Sequence, residues 1–192
     1  MSLTITGVTP GGSIGKTITL NLSHHRKARI WLGELPDLSY PGVEVLERQQ
    51  DAKASTIAEI KYAAVEIFAP KGVRALYGLL GAKFTPDNLE QLLVQVAFCG
   101  DTAKQVEWSL AAKVDKIYAG LTSEYAPSVL DGALRVAETL GSGVLRFECA
   151  AHGVVGSSPK IFRQLATISV ELLTARAESL SEEELTALIS IF

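Results

Sequence analysis

The residues closest to a recognisable chemistry lie near the end of the chain, where Cys149 and His152 stand three positions apart. An imidazole beside a thiol lowers the thiol pKa, and the thiolate that results is a nucleophile. The turn Gly153–Ser158 follows, and its backbone N–H groups could bind an anion in front of the helix that Pro159 begins. This segment is therefore a candidate site for a small-molecule enzyme or a ligand-binding protein. A buried cysteine beside a loop histidine is the commoner alternative.

The stretch Pro10–Thr17 approaches the pattern of a nucleotide-binding loop without meeting it. That loop needs a glycine, four spacers and then Gly-Lys-Ser/Thr, and it must open a helix. The position of the first glycine is taken by Pro10, which has no N–H to donate. The residues after it alternate polar and apolar over Thr17–Leu22, as does Leu3–Val8, which is typical of strands. We therefore expect a β-hairpin joined by a Pro-Gly-Gly loop.

A short basic segment follows this hairpin and ends near Trp31. Basic side chains beside an aromatic residue are typical of a phosphate or nucleic-acid contact. A charged strand edge that resists aggregation is the alternative, and a pI of 5.7 weighs against a dedicated nucleic-acid binder. The residues predicted for such a contact are Lys16, Arg26, Lys27 and Arg29.

The remaining residues that could do chemistry form no known pattern. The three histidines and two cysteines lack the close spacing of metal ligands. No pair of carboxylates lies beside a group that would separate their pKa values. The sequence therefore predicts no metal and no cofactor, and it weighs against an enzyme.

Composition bounds the class of protein. The chain has 192 residues, of which 20% are charged, against about a quarter in an average soluble domain. No apolar run approaches the ~18 residues of a membrane span, and no secretory signal opens the sequence. With two cysteines fifty positions apart, these features predict a cytoplasmic protein without a membrane partner. The shortage of charge favours a homo-oligomer.

The charges are unevenly distributed, and the chain closes on an apolar helix. The first 33 residues carry four basic residues and no acidic one, whereas the last 22 carry five glutamates against one arginine. Ser181 and Glu184 form a capping-box pattern in front of that helix. Its apolar stripe is predicted either to mediate self-association or to dock on the same chain, and consists of Leu185, Leu188, Ile189 and Phe192.

The apolar periodicity predicts a single α+β domain over residues 1–192. Residues 1–47 are expected to be β-rich and residues 50–192 mainly helical, with a late strand near 144–149. The expected fold is a small, mostly antiparallel sheet packed against five or more helices. Helices are predicted from about residue 50 to 69, at 71–80, from Thr85, from Asp101 to Leu121, at 127–140, from Pro159 and from Ser181.

These features together predict a non-enzymatic, self-associating structural subunit of an assembly. Its contacts would be made by the C-terminal helix and the oppositely charged ends of the chain. The enzyme or ligand-binding protein built on Cys149 and His152 is the alternative, and nucleic-acid contact through the basic segment is a third hypothesis.

Overall fold

One large β-sheet forms the centre of the protein in the computed structural model, which describes residues 2–8, 14–38, 40, 44–99, 104–175 and 180–192. Its strands are β1 (Ser2–Val8), β2 (Ile14–Asn21), β3 (Lys27–Leu32), β4 (Glu44–Asp51), β5 (Lys61–Lys71), β6 (Arg74–Pro86), β7 (Gln91–Phe98), β8 (Ile117–Ala119) and β9 (Gly143–Gly153).

The sheet is mixed, and its strand order differs from the order along the chain. The strands lie in the order β1-β2-β3-β5-β6-β9-β7-β4, and β8 pairs with the end of β9. Neighbours are antiparallel except β7 and β9, which are parallel. Consequently β9 separates β6 from β7, although those two strands are joined by a short turn.

Three α-helices pack on one side of the sheet, which we call the helical face. They are α1 (Ala126–Leu134), α2 (Pro159–Thr174) and α3 (Glu182–Ile189). Helix α2 lies against β5 and β6, while α1 lies against β7 and contacts α2. The main apolar core between these layers contains the fully buried Phe84, Phe147 and Phe162.

The opposite side of the sheet, which we call the loop face, is covered in part by the segment 104–121. This segment consists of turns and the short strand β8. Its buried residues Val106 and Ile117 pack against Trp31, Tyr77 and Leu79 of the sheet, which forms a second apolar cluster. The middle of the sheet is therefore buried on both faces.

The predicted fold was wrong in the size of the sheet and in the number of helices. Strands β5 to β9 all lie within residues 50–192, the part of the chain predicted to be mainly helical. The helices predicted at about 50–69, at 71–80, from Thr85 and from Asp101 to Leu121 do not form in the described residues. Three α-helices are present there instead of five or more.

The physical reason is that burial on both faces removes the alternation by which strands are recognised. In β5 the five residues from Ala63 to Ile67 are all buried, so the burial does not alternate and Glu66 is the one polar residue in an apolar run. In β7 every second residue from Leu92 to Val96 is buried, and so is Ala97. The prediction instead grouped Leu89 with Leu92, Leu93 and Val96 at helical spacing, and Leu89 is 74% exposed.

Several predicted elements are confirmed. Strands β1 and β2 form the antiparallel hairpin, although the Pro-Gly-Gly loop lies outside the described residues. The late strand is present as β9, within the same sheet. Helix α3 begins with the predicted capping box, in which Ser181 and Glu184 bond reciprocally. The helix predicted at 127–140 is shorter and ends at Leu134.

Among the described residues, no helix has both the length and the apolar character that a membrane crossing requires.

Helices α1 and α2 touch through a glycine, which gives a test of the fold. A Cβ atom at Gly132 would collide with the backbone carbonyl of Arg163 in α2. We expect Gly132→Ala to lower the free energy of unfolding by about 1–3 kcal/mol, the usual cost of overpacking, as measured by chemical denaturation. Because alanine favours helix more than glycine does, an unchanged or raised stability would contradict this close contact.

Candidate functional site

The two residues of the predicted catalytic pair lie on opposite faces of β9. Cys149 belongs to the cluster on the loop face together with Ala151. Ala150 belongs to the core on the helical face, and His152, two positions later, points to that same side. The structure therefore does not bring the thiol and the imidazole together.

Cys149 is enclosed by protein, with 3% of its surface exposed. Its sulfur lies 3.7 Å from the backbone carbonyl oxygen of Pro36. Burial raises the pKa of the Cys149 thiol far above its ordinary value, and the carboxylates of Glu148 and Asp37 raise it further. A thiol in this environment stays protonated, and a protonated thiol is a poor nucleophile.

His152 contacts the backbone and two aromatic rings. Its Nδ1 lies 2.9 Å from the carbonyl oxygen of Gly120, and because a carbonyl only accepts, that nitrogen carries a proton. Its ring centroid is 6.2 Å from Tyr118 and 6.1 Å from Tyr125. These contacts hold the imidazole at the edge of the helical face, away from Cys149.

The turn Gly153–Ser158, which was predicted to bind an anion, already binds a carboxylate of its own chain. The backbone N–H groups of Val155 and Gly156 donate to a carboxylate oxygen of Asp115, at 3.1 and 2.8 Å. The hydroxyl of Ser157 accepts from the N–H of Gly153 and donates to the carbonyl of Tyr77. The turn therefore anchors the segment 104–121 to the end of β9.

The four predicted phosphate-binding cations do not form one surface. Lys16 pairs with Leu32, which lies in the core on the helical face, whereas Arg29 lies on the loop face beside Glu66. Arg26 donates to the carbonyl oxygen of Phe192. Lys27, at the start of β3, is exposed. Nucleic-acid contact through this set stays a prediction without a common binding surface.

The apolar stripe of α3 packs on its own chain. Leu185 and Ile189 are 1% and 2% exposed within the main core. Leu188 and Phe192 are partly buried against the same core. These four side chains pack on their own chain, which is the second of the two alternatives given for the stripe. They therefore offer little apolar surface to a second subunit.

A buried acidic residue that the sequence analysis did not single out holds the loop face together. Glu66 is fully buried, and its Oε1 accepts hydrogen bonds from the Tyr77 hydroxyl at 3.1 Å and from the Leu110 N–H at 2.8 Å. Its Oε2 lies 3.4 Å from the Arg29 guanidinium. That guanidinium is 5.6 Å from the ring centroids of both Trp31 and Trp108. The signal available in the sequence was that Glu66 is the single acidic residue within an apolar strand.

An exposed apolar surface lies at the end of the molecule where β5 turns into β6. We call it the apolar tip surface; it consists of Val73, Val114, Val154 and Val155, which are 103%, 64%, 63% and 60% exposed. A groove of about 300 Å³ is lined by three of these valines, Val73, Val114 and Val155, and also by Phe68 and Pro70. The sequence analysis missed this surface, although the adjacent valines between Gly153 and Gly156 were a signal.

Basic residues surround the apolar tip surface. The exposed Lys71 and Arg74 flank Val73, and Lys113 and Lys116 lie close to Val114 along the chain. Asp115 also lines the groove, but its carboxylate accepts hydrogen bonds from the turn after β9. The end of the molecule is therefore both aliphatic and positively charged.

No group of histidine, cysteine and carboxylate side chains with the arrangement of a metal site occurs within the described ranges. Comparison with protein-family models gives no match, and no similar curated protein or solved structure was found. The site must therefore be interpreted from its own geometry.

The burial of Cys149 makes a prediction about its reactivity. We expect iodoacetamide to modify Cys149 in the folded protein at least tenfold more slowly than a free model thiol at the same pH, because the thiol is enclosed and protonated. Peptide mass spectrometry after timed quenching measures the rate, and a urea-unfolded sample is the control. Labelling at or above the rate of the model thiol would favour the enzyme hypothesis.

The environment of Glu66 predicts a dependence of stability on pH. Burial raises the pKa of Glu66, and Arg29, the Leu110 N–H and the Tyr77 hydroxyl only partly offset that increase. Between the ordinary pKa and the raised one, the folded state binds more protons than the unfolded state, so stability increases as the pH falls. The slope for one group is at most about 1.4 kcal/mol per pH unit.

We therefore expect the free energy of unfolding of the wild type, minus that of Glu66→Gln, to increase as the pH falls from neutral toward the ordinary carboxyl range. Urea unfolding of both proteins across that range measures the difference. The glutamine variant cannot titrate at position 66 and serves as the reference. A difference that stays constant or decreases on acidification would contradict the raised pKa.

Proposed function

We propose that the protein is a non-enzymatic assembly subunit that associates with further copies of itself through the apolar tip surface. The observation that carries this proposal is the exposure of four neighbouring valines at one end of the molecule. Exposed aliphatic residues that lie together and are rimmed by charge mark interaction surfaces in proteins. A groove among them supplies the concave shape into which a partner side chain fits.

Of the features in the sequence hypothesis, we keep the acidic C-terminal end and place the apolar contact and the basic surface elsewhere. Leu185 and Ile189 of α3 are buried in the chain's own core, so they are not available to a second subunit. We assign that role to the exposed valines of the apolar tip surface. The exposed Glu182 and Glu183 of α3 remain a negatively charged surface.

The surroundings of the other predicted site residues favour a binding role over catalysis. The thiol of Cys149 is enclosed, and Asp115 already occupies the N–H groups of the turn after β9. Nucleic acid is less well suited to the apolar tip surface than protein, because valine side chains offer no ring on which a base can stack. The proposal includes the cytoplasmic setting that the sequence predicts.

The proposal is tested by shortening the valines without changing the charge. We expect Val114→Ser combined with Val155→Ser to raise the protein concentration needed for association about tenfold or more, since burying one valine contributes about 1.5–3 kcal/mol. Light scattering at several protein concentrations and at two salt concentrations measures the molar mass in solution, as a multiple of 20.5 kDa.

The matched control is Leu89→Ser, which alters an equally exposed aliphatic residue outside the apolar tip surface. This control should associate like the wild type. A wild-type protein that remains a monomer at every concentration would overturn the proposal. If that monomer bound an oligonucleotide, and the valine variant did not, the tip would belong to a nucleic-acid interface instead.

A further inference from the structure

The groove at the apolar tip surface is shaped for an aliphatic side chain. Its volume is about 300 Å³, and its walls include Phe68, Pro70, Val73, Val114 and Val155. It opens on the loop face, because Phe68 packs against the apolar cluster of that face. A partner that fills this groove must present at least one exposed aliphatic residue.

The charges around the groove specify the sign of the charge that the partner must carry. Lys27 lies opposite Phe68 in the pairing of β3 with β5, and therefore on the same face. Arg74 lines the groove together with one acid, Asp115. The exposed Lys71, Lys113 and Lys116 are next or next but one along the chain to lining residues, so basic residues predominate in the segments that form the groove. The carboxylate of Asp115 already accepts hydrogen bonds from two backbone N–H groups. A complementary partner is therefore acidic.

The C-terminal segment 180–192, which contains α3, has both required properties. Glu182, Glu183, Thr186 and Ala187 line a shallow concavity along the outward side of the helix. Ile191, just beyond the helix, is 51% exposed. Residues 180–192 contain three glutamates and no lysine or arginine. This part of the chain therefore combines negative charge with an available aliphatic side chain.

A chain cannot place its own α3 in its own groove. Leu185 and Ile189 fasten α3 to the core on the helical face, whereas the groove opens on the loop face. The two surfaces are thus separated by the sheet, and both stay exposed in one copy. We infer that the groove of one copy receives the acidic outward side of α3, together with Ile191, from a second copy.

This inference rests on the proposed function and specifies its geometry. The contact joins two different surfaces, so it is head-to-tail, and repeated copies would form a ring or an open chain. Helix α3 has eight residues and is about 12 Å long. An interface of that size lies in the weak class below about 1,200 Å², so association should depend on concentration and weaken with salt.

The test reverses the charge of each surface in separate proteins. The tip variant is Lys113→Glu with Lys116→Glu, and the helix variant is Glu182→Lys with Glu183→Lys. Light scattering at low salt should show that either variant alone needs at least tenfold more protein to associate than the wild type. An equimolar mixture should regain association, because the unchanged α3 of the tip variant can then meet the unchanged tip of the helix variant.

The controls separate this inference from the proposed function. Glu124→Lys with Glu138→Lys makes the same change of net charge as the helix variant, at exposed positions elsewhere in the molecule. This control should leave association unchanged. Lysine in the first turn of α3 opposes the helix dipole, so Glu182→Gln with Glu183→Gln is a second variant, checked by circular dichroism. This neutral variant should also associate more weakly than the wild type.

The outcomes that would overturn the inference are distinct. If both α3 variants associate like the wild type while the valine variant does not, the copies meet tip to tip. That result rejects the contact with α3 and leaves the proposed function in place. If the folded reversal variants remain monomers when they are mixed, the tip of one copy does not receive α3 of another. That result also overturns the inference. A monomeric wild type overturns both.

Discussion

The buried carboxylate of Glu66 is the interaction on which the loop face depends. It links β5, β6 and the segment 104–121 through the Tyr77 hydroxyl and the Leu110 N–H, and it lies beside the Arg29 guanidinium of β3. The helical face is held by extensive apolar contact, which is not directional. In the part of the chain that the structure describes, the loop face is covered by turns and not by a helix, so a few directional contacts hold irregular backbone in place. The groove depends on them, because Val114 comes from this segment.

Most polar groups that resemble functional residues in the sequence are used within the fold. Asp115 occupies the N–H groups of the turn after β9, and Arg26 binds the carbonyl oxygen of Phe192. Arg29 lies beside Glu66 and between two tryptophan rings. By contrast, the four valines of the apolar tip surface are exposed together, and no contact within the described residues requires them there. This contrast is why the proposed function is binding.

Sequence patterns predicted the elements whose burial is one-sided or whose ends are marked locally. Helix α3 was predictable because Ser181 and Glu184 are three residues apart and bond to each other. Strand β5 was not, because cover on both faces leaves a run that is apolar except for Glu66 and resembles a buried helix. The site depends on pairs that are distant in the chain, such as Asp115 with Gly156. The exposure of Val114 likewise depends on where a distant segment crosses the sheet.

The insertion of β9 between β6 and β7 has a consequence for the order of folding. β6 and β7 are joined by a short turn, yet each pairs with β9, which begins about fifty residues later in the chain. During synthesis both strands therefore emerge with unpaired edges and wait for a partner that is made last among the sheet's strands. Such long-range pairing is intrinsically slow, and open edges invite aggregation. A ribosome-bound chain that stops before residue 143 therefore lacks the strand that joins β6 to β7, and the sheet is complete only after β9 has been synthesised.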